Sequence, residues 1–161
     1  MPSATLDTNV LLVYLKQQKR RAVVERLVDL SRAGKLELVV TARIREDVPD
    51  PPLSASIDGL GELSIQEGPS VTRVGVWALG RDVLGSDEFV DLSQKVSSML
   101  QSQGKTPPDW RDWDHLHAHY LSGRDVFLTW DRRILDCGPE LKRRLDLVVM
   151  RPEQYVESMG A

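Results

Sequence analysis

At 161 residues, 41% of them hydrophobic, the chain is long enough to bury one apolar core and short for two, so we expect a single domain over residues 1–161. Its 21 basic and 24 acidic side chains give a net charge of -3, which argues against binding nucleic acid through overall positive charge alone. The single cysteine, Cys137, excludes an intrachain disulfide and a cysteine-rich zinc site. The apolar run at residues 10–15 is too short to cross a bilayer, so we expect a soluble, cytoplasmic protein without membrane association.

The first third of the chain alternates between strand-like and helix-like patterns. A β-favouring run at residues 3–6 ends at Asp7, and an apolar helix follows through about residue 15. Apolar residues at helical spacing predict a second helix over residues 23–34. A second β-favouring run, residues 36–40, precedes a short helix that contains Glu46 and is closed by prolines.

The middle of the chain has a weaker pattern. Residues 53–86 contain glycines, serines and one apolar cluster, and they predict only a loop with short strand or helix pieces. An apolar stripe then predicts an amphipathic helix over residues 87–101. A Thr-Pro-Pro-Asp segment is typical of a helix start and predicts another helix over residues 110–121.

The last quarter returns to strands. A strand over residues 125–129 ends beside Asp131, and a basic helix, a strand over residues 147–150 and a short helix follow. Strands that alternate with helices favour a three-layer α/β/α sandwich with a central, mostly parallel sheet. Ligands of such sheets bind beyond the carboxyl ends of the strands, where Asp7 and Asp131 are both predicted to lie.

Acidic residues at this edge suit the hydrolysis of phosphodiesters. The reaction needs an activated water and neutralisation of the charge that grows on the phosphate oxygens, and two divalent cations supply both. Oxygen ligands favour Mg²⁺ or Mn²⁺. Three or four carboxylates from distant parts of the chain are therefore required.

Three parts of the sequence resemble the PIN-domain family of metal-dependent nucleases. They are LDTNVLLVYL at residues 6–15, Glu46 after the second predicted strand, and DHLHAHYLSGRDVFLTWDRRIL at residues 114–135. In the family, an Asp followed by Ser or Thr and often Asn ends the first strand, and a Thr-x-Asp segment follows a later strand. The resemblance spans most of the chain and implies a PIN-like fold.

The resemblance also implies the composition of the site. The main ligands of Mg²⁺ or Mn²⁺ would be Asp7, Glu46 and Asp114, with Asp131 completing the site and with Asn9 and Thr129 as supporting hydrogen bonders. The stretch between Glu46 and Asp114 is longer than in compact bacterial toxins of the family. Asp112 and Asp109 compete with Asp114 for its role, and Asp47 competes with Glu46. Asp114 is preferred because it places Ala118 and Leu121 on adjacent inward turns.

Several residues near the proposed site have a purely structural interpretation as well as a functional one. Arg132, next to Asp131, is predicted either to bind substrate phosphate or to lie on a solvated helix face. Asp7 alone is equally well explained as a helix cap, and Asp131 as a turn former. The three histidines at positions 115, 117 and 119 alternate on a helix, so only His115 and His119 share a face, which is too few for zinc and disfavours a zinc site.

The leading functional hypothesis is an endoribonuclease that cleaves single-stranded RNA. The family resemblance further implies a toxin with an antitoxin protein as its partner, and it is compatible with a homodimer. The alternative hypothesis is a non-catalytic PIN-like module that binds RNA or protein. A phosphatase of the Asp-x-Asp type is disfavoured because Asn9 stands at the second acidic position.

Overall fold

A five-stranded parallel sheet forms the centre of the protein. The computed structural model describes residues 1–48, 51–72, 82–84 and 87–160. The strand order in the sheet is β3-β2-β1-β6-β7, and every neighbouring pair is parallel. The strands are β1 Ser3–Leu6, β2 Glu37–Thr41, β3 Ile65–Gly68, β6 Val126–Leu128 and β7 Val148–Met150.

Two further strands, β4 Ser70–Thr72 and β5 Asp82–Leu84, pair in parallel as a separate two-stranded sheet. The helices of the described residues are α1 Thr8–Leu15, α2 Arg21–Arg32, α3 Ile44–Asp47, α4 Pro51–Asp58, α5 Asp87–Ser102, α6 Trp110–Leu121, α7 Arg132–Leu145 and α8 Pro152–Ser158, with a 3₁₀ turn at Leu60–Leu63. None of these helices combines the length and apolar character that crossing a membrane requires.

Each face of the main sheet packs against its own set of helices. One apolar cluster joins alternate strand residues such as Leu6, Val40 and Leu128 to α1, α2, α4 and α8. The other joins Phe127 of β6 to α5, α6 and α7. Side chains of a strand point to opposite faces in turn, so neighbouring residues of β6 enter different clusters. Burial of both faces produces the three-layer α/β/α sandwich that the sequence predicts.

The structure also shows elements that the sequence pattern does not resolve. Residues 53–86 were expected to form a loop with short pieces, and they contain most of α4 and the edge strand β3. Only Ile65 and Gly68 of β3 are buried, while the two residues between them are exposed. Such a strand has little apolar pattern of its own, and pairing with β2 explains its conformation. Residues 73–81 and 85–86 lie outside the described part of the chain.

Candidate metal site

Asp7 lies immediately after the central strand β1, at the carboxyl edge of the sheet. Its backbone N–H donates to the Leu128 carbonyl at 3.0 Å, and its side chain accepts from the Thr129 hydroxyl at 2.6 Å. Only 5% of the residue is exposed. Burial raises the pKa of Asp7, and its effect exceeds that of the favourable charge of His115 and the Thr129 hydrogen bond. An ionised Asp7 would therefore be stabilised by a nearby cation.

Thr129 connects the acids at the ends of β1 and β6. Its hydroxyl donates to Asp7, and the same oxygen accepts from the Asp131 N–H at 2.9 Å and from the Asn9 side-chain amide at 3.4 Å. Asn9 Oδ1 is buried and has no hydrogen-bond partner within the described ranges. A buried carbonyl oxygen without a donor is costly, and a cation would relieve that cost.

A second group of acids lies at the start of α6. Asp109 is the N-cap of this helix and accepts from the backbone N–H groups of Arg111 and Asp112, while the Asp112 side chain accepts from the Asp109 N–H at 3.0 Å. This reciprocal arrangement is a capping box. Burial, together with repulsion from Asp109 and Asp7, raises the pKa of Asp112 to about 6 despite the hydrogen bond from the Asp109 backbone.

Asp112, and not Asp114, faces Asp7 from this helix. Residues two apart on an α-helix point roughly 200° from each other, so the two carboxylates leave α6 in different directions. Asp114 is buried against Arg43, with 3.1 Å between its Oδ2 and the arginine Nη1. The structure therefore places the competing candidate, Asp112, in one cavity with Asp7, and it places the preferred candidate, Asp114, against Arg43.

The same choice arises between Glu46 and Asp47 on α3. The Glu46 side chain is 56% exposed and pairs with Arg43 at 3.3 Å. Asp47 Oδ2 instead lies 2.6 Å from His115 Nε2 and accepts from the Thr8 hydroxyl at 3.0 Å. Burial acts to raise the pKa of Asp47, but the bonds from His115 and Thr8 outweigh it and lower the pKa. Asp47 is thus the acid of α3 that joins the site.

A positive side chain holds the acids together on the side of α7. Asp131 is the N-cap of this helix, and Arg133 Nη2 lies 2.7 Å from its Oδ2. The same nitrogen is 3.1 Å from Asp112 Oδ2, and Arg133 Nη1 is 3.8 Å from Asp109 Oδ2. Burial acts to raise the pKa of Asp131, and the Arg133 bonds reverse this and lower it. The sequence indicated Arg132 and Arg133 as contacts for backbone phosphates and favoured Arg132, but its pattern did not indicate that Arg133 pairs with these acids.

These acids line one cavity of about 240 Å³, which we call the acidic cavity. Its described lining residues are Asp7, Thr8, Asn9, Leu12, Asp47, Asp109, Arg111, Asp112, His115 and Asp131. Carboxylate and amide oxygens are the donors that Mg²⁺ and Mn²⁺ prefer, so the donor chemistry fits such a cation. Within the described ranges, however, no three His, Cys, Asp or Glu side chains already converge as a metal-binding group. Binding would require the acids to move together.

The three histidines of α6 each contact different side chains. His115 contacts Thr41 through Nδ1, and His119 Nδ1 contacts the Thr5 hydroxyl at 2.8 Å. His117 stacks on Phe89 with 4.3 Å between ring centroids. Only His115 lines the acidic cavity among them. Its spacing of three residues from Asp112 was the sequence signal for this placement, because residues three apart share a helix face.

Arg132 lies outside the acidic cavity. It is exposed at the start of α7 and lines a second cavity of about 350 Å³ with Gly104, Lys105, Thr106, Arg133 and Asp136. We call this second space the basic cavity. Arg133 is the residue that the two sites share, because it lines the basic cavity and pairs with acids of the acidic one.

No protein-family model matches the sequence, and no curated protein matches it either. Solved structures do match in shape. VapBC-1 from nontypeable Haemophilus influenzae aligns with a TM-score of 0.51 at 14% identity, over 94% of this chain and 98% of the matched chain. FitAB bound to an IR36 DNA fragment aligns with a TM-score of 0.51 at 16% identity, over 92% and 94%. VapBC2 from Rickettsia felis, bound to a fragment of promoter DNA, covers 92% and 98% at 11% identity and a TM-score of 0.47.

The chain therefore has the PIN-like α/β/α fold that its sequence predicts. At such low identity the likeness establishes the fold, and the function has to be argued from the site.

Proposed function

We propose that this protein is a divalent-metal-dependent endoribonuclease that hydrolyses phosphodiester bonds of single-stranded RNA. The observation that supports the proposal is the acidic cavity at the carboxyl edge of the sheet, which Asp7, Asp47, Asp112 and Asp131 line together. Ligands of open parallel sheets bind at this edge. Like charges that line one cavity repel one another, and a bound cation would relieve this repulsion.

Four carboxylates would hold Mg²⁺ or Mn²⁺ in this proposal: Asp7, Asp47, Asp112 and Asp131. When bound, the cation lowers the pKa of a water molecule and neutralises charge that develops on the phosphate. Thr129 holds the Asp7 carboxylate in place by donating to it, and Asn9 presents an amide oxygen beside it. Glu46 and Asp114, which the family resemblance implies as ligands, would instead act through Arg43, with which both pair.

The biological setting that we propose is a toxin paired with an antitoxin protein. The matched VapBC and FitAB structures are toxin–antitoxin complexes of the same fold, which supports this setting. Expression of the wild-type chain alone should then arrest the growth of a bacterial host, and the Asp7→Asn variant should not. Arrest by both variants alike would contradict a toxicity that depends on nuclease action.

Cleavage of a labelled single-stranded RNA in the presence of Mn²⁺ tests the nuclease proposal. Asp7→Asn and Asp112→Asn keep the side-chain shape while removing a ligand charge, and each should lower the rate by about 100-fold or more. Asp91→Asn is the matched control, because this exposed acid of α5 pairs only with Lys95 in the described contacts. It should leave the rate unchanged.

The outcomes separate the proposal from its alternative. Cleavage that persists in EDTA, or that survives Asp7→Asn, would come from a contaminant or another site and would overturn the assignment. An absence of cleavage, together with no rise in melting temperature on addition of Mn²⁺, would favour the non-catalytic binding module, because a ligand that binds only the folded state must stabilise it.

A further inference from the structure

Arg133 has an unusual position for a side chain that starts a helix. Its guanidinium lies within 4 Å of three carboxylates, Asp131 at 2.7 Å, Asp112 at 3.1 Å and Asp109 at 3.8 Å. Two of these acids are proposed metal ligands, and both bond to the same nitrogen, Nη2. The guanidinium thus lies between two carboxylates that are proposed to hold the cation.

The charge balance explains why Arg133 lies there. Five carboxylates line the acidic cavity, while Arg111 is the only arginine or lysine in the described lining. Arginine stays protonated at every physiological pH and its planar fork bonds two carboxylates at once. Arg133 therefore supplies part of the positive charge that these acids need when no metal is bound.

Arg133 also lines the basic cavity, which offers its side chain a second position. Its side chain is 36% exposed and lines the basic cavity, where Lys105 and Arg132 contribute two further positive charges and Asp136 one negative charge. Lys105 Nζ is 3.8 Å from Asp136, and Arg133 pairs with the acids of the acidic cavity, so in the described contacts Arg132 supplies the remaining positive charge of the basic cavity. A turn of Arg133 away from those acids would add a second. A cavity of this charge beside a phosphodiester-cleaving site suits a phosphate group of the bound strand.

We propose that Arg133 serves two adjacent sites in turn. Without a divalent cation, its guanidinium neutralises Asp112 and Asp131 and competes with metal for them. When a cation binds these acids, Arg133 turns into the basic cavity and, with Lys105 and Arg132, binds a backbone phosphate of single-stranded nucleic acid. Metal binding thereby creates part of the substrate site. This inference rests on the proposed metal-dependent function.

Mn²⁺ affinity, measured by calorimetric titration, tests the competition. Arg133→Gln removes the competing charge and should bind Mn²⁺ about three- to tenfold more tightly than wild type, the range that a few partly exposed ion pairs support. Arg144→Gln is the matched control, since it removes the same charge from α7 while its partner is Glu140. It should bind Mn²⁺ as wild type does.

A second titration tests the phosphate role. The fluorescence anisotropy of a labelled single-stranded RNA reports its binding, with phosphorothioate linkages that slow hydrolysis, and a gel afterwards confirms that the RNA is intact. At saturating Mn²⁺, Arg133→Gln should bind the oligonucleotide more weakly than wild type and show a smaller dependence on salt, because one phosphate contact is lost. Equal affinities and equal salt dependences would overturn this half of the proposal.

The remaining outcomes distinguish the inference from the function on which it rests. If wild type binds Mn²⁺, Asp7→Asn does not, and Arg133→Gln equals wild type, the competition is refuted while the metal site stands. If neither wild type nor Arg133→Gln binds Mn²⁺, both the metal function and the inference are refuted. Arg133→Lys provides a second test in case the glutamine variant misfolds, because lysine keeps the charge but cannot bridge two carboxylates. Its Mn²⁺ affinity should lie between those of wild type and Arg133→Gln.

Discussion

His119 makes a prediction about pH that does not depend on the proposed function. It lies on α6 with 1% of its surface exposed, its Nδ1 contacts the Thr5 hydroxyl at 2.8 Å, and its Nε2 has no hydrogen-bond partner in the described part of the chain. Burial, with a smaller contribution from the positive charge of Arg124, lowers the pKa of His119 to about 3. The imidazole is therefore neutral in the folded protein at neutral pH.

The sign of the pH effect follows from comparison with the unfolded chain, where a histidine has a pKa of about 6.5. Between pH 6.5 and pH 3, the unfolded chain binds a proton at this position and the folded protein does not. The folded state therefore loses stability as the pH falls through this window. Between pH 7 and pH 5, the linkage relation gives a loss of about 2 kcal/mol from His119 alone.

His119→Gln isolates this contribution, because glutamine can still bond to Thr5 but does not titrate. The free energy of unfolding is measured by urea denaturation of both proteins at pH 7 and at pH 5. Wild type should lose about 2 kcal/mol more than the variant between the two pH values, which corresponds to a relative midpoint shift on the order of 1 M urea. The difference between pH values is what counts, since the substitution also changes stability at pH 7. Equal losses in the two proteins would refute the buried, neutral assignment of His119.

Three further predictions follow from the same structure. Asp47→Asn should weaken Mn²⁺ binding by about tenfold, while Glu46→Gln should change it less than about twofold. If calorimetry shows the reverse order, Glu46 and not Asp47 is the ligand. Cys137 is buried, and burial raises the pKa of its thiol to about 12, so a colorimetric thiol reagent should react with it much more slowly in buffer than in urea, whereas equal rates would place the thiol at the surface. Leu116 is fully buried in the cluster between α6 and the sheet, so Leu116→Ala should lower the free energy of unfolding by about 2–5 kcal/mol, and a loss below about 1 kcal/mol in urea denaturation would contradict its packing.

Local patterns were sufficient to predict most of the fold. Short apolar strands and amphipathic helices such as α5 carry their periodicity within a few residues, and alternation of the two types indicated the parallel sheet. The edge strand β3 carries no such signal, since Gln66 and Glu67 are exposed in its centre. The helix α4 begins at Pro51 and Pro52, and prolines that end one helix also suit the first turn of the next.

The candidate site was harder to predict than the fold, because a sequence pattern does not say which of two neighbouring acids faces inward. Asp112 and Asp114 occupy the same helix, and the direction of each depends on how α6 is rotated against β1. Asp112 also belongs to a capping box, which accounts for an acid at this position without any contact to Asp7. The ion pairs of Arg133 could not be predicted from nearby residues, since its partners Asp109 and Asp112 are more than twenty residues away in the sequence.

The pairing of β1 with β6 has a consequence for synthesis of the chain. Residues 4–6 of β1 pair on one side with residues 126–128, so that side of β1 stays unpaired until residue 128 has been made. Contacts of such large sequence separation form late in folding. Asp7 therefore acquires its Thr129 hydrogen bond, and its neighbour Asp131, only after residues 129–131 have left the ribosome. A chain released before that point would carry Asp7 but would lack Asp131 and the rest of the acidic cavity, which is the proposed cation site.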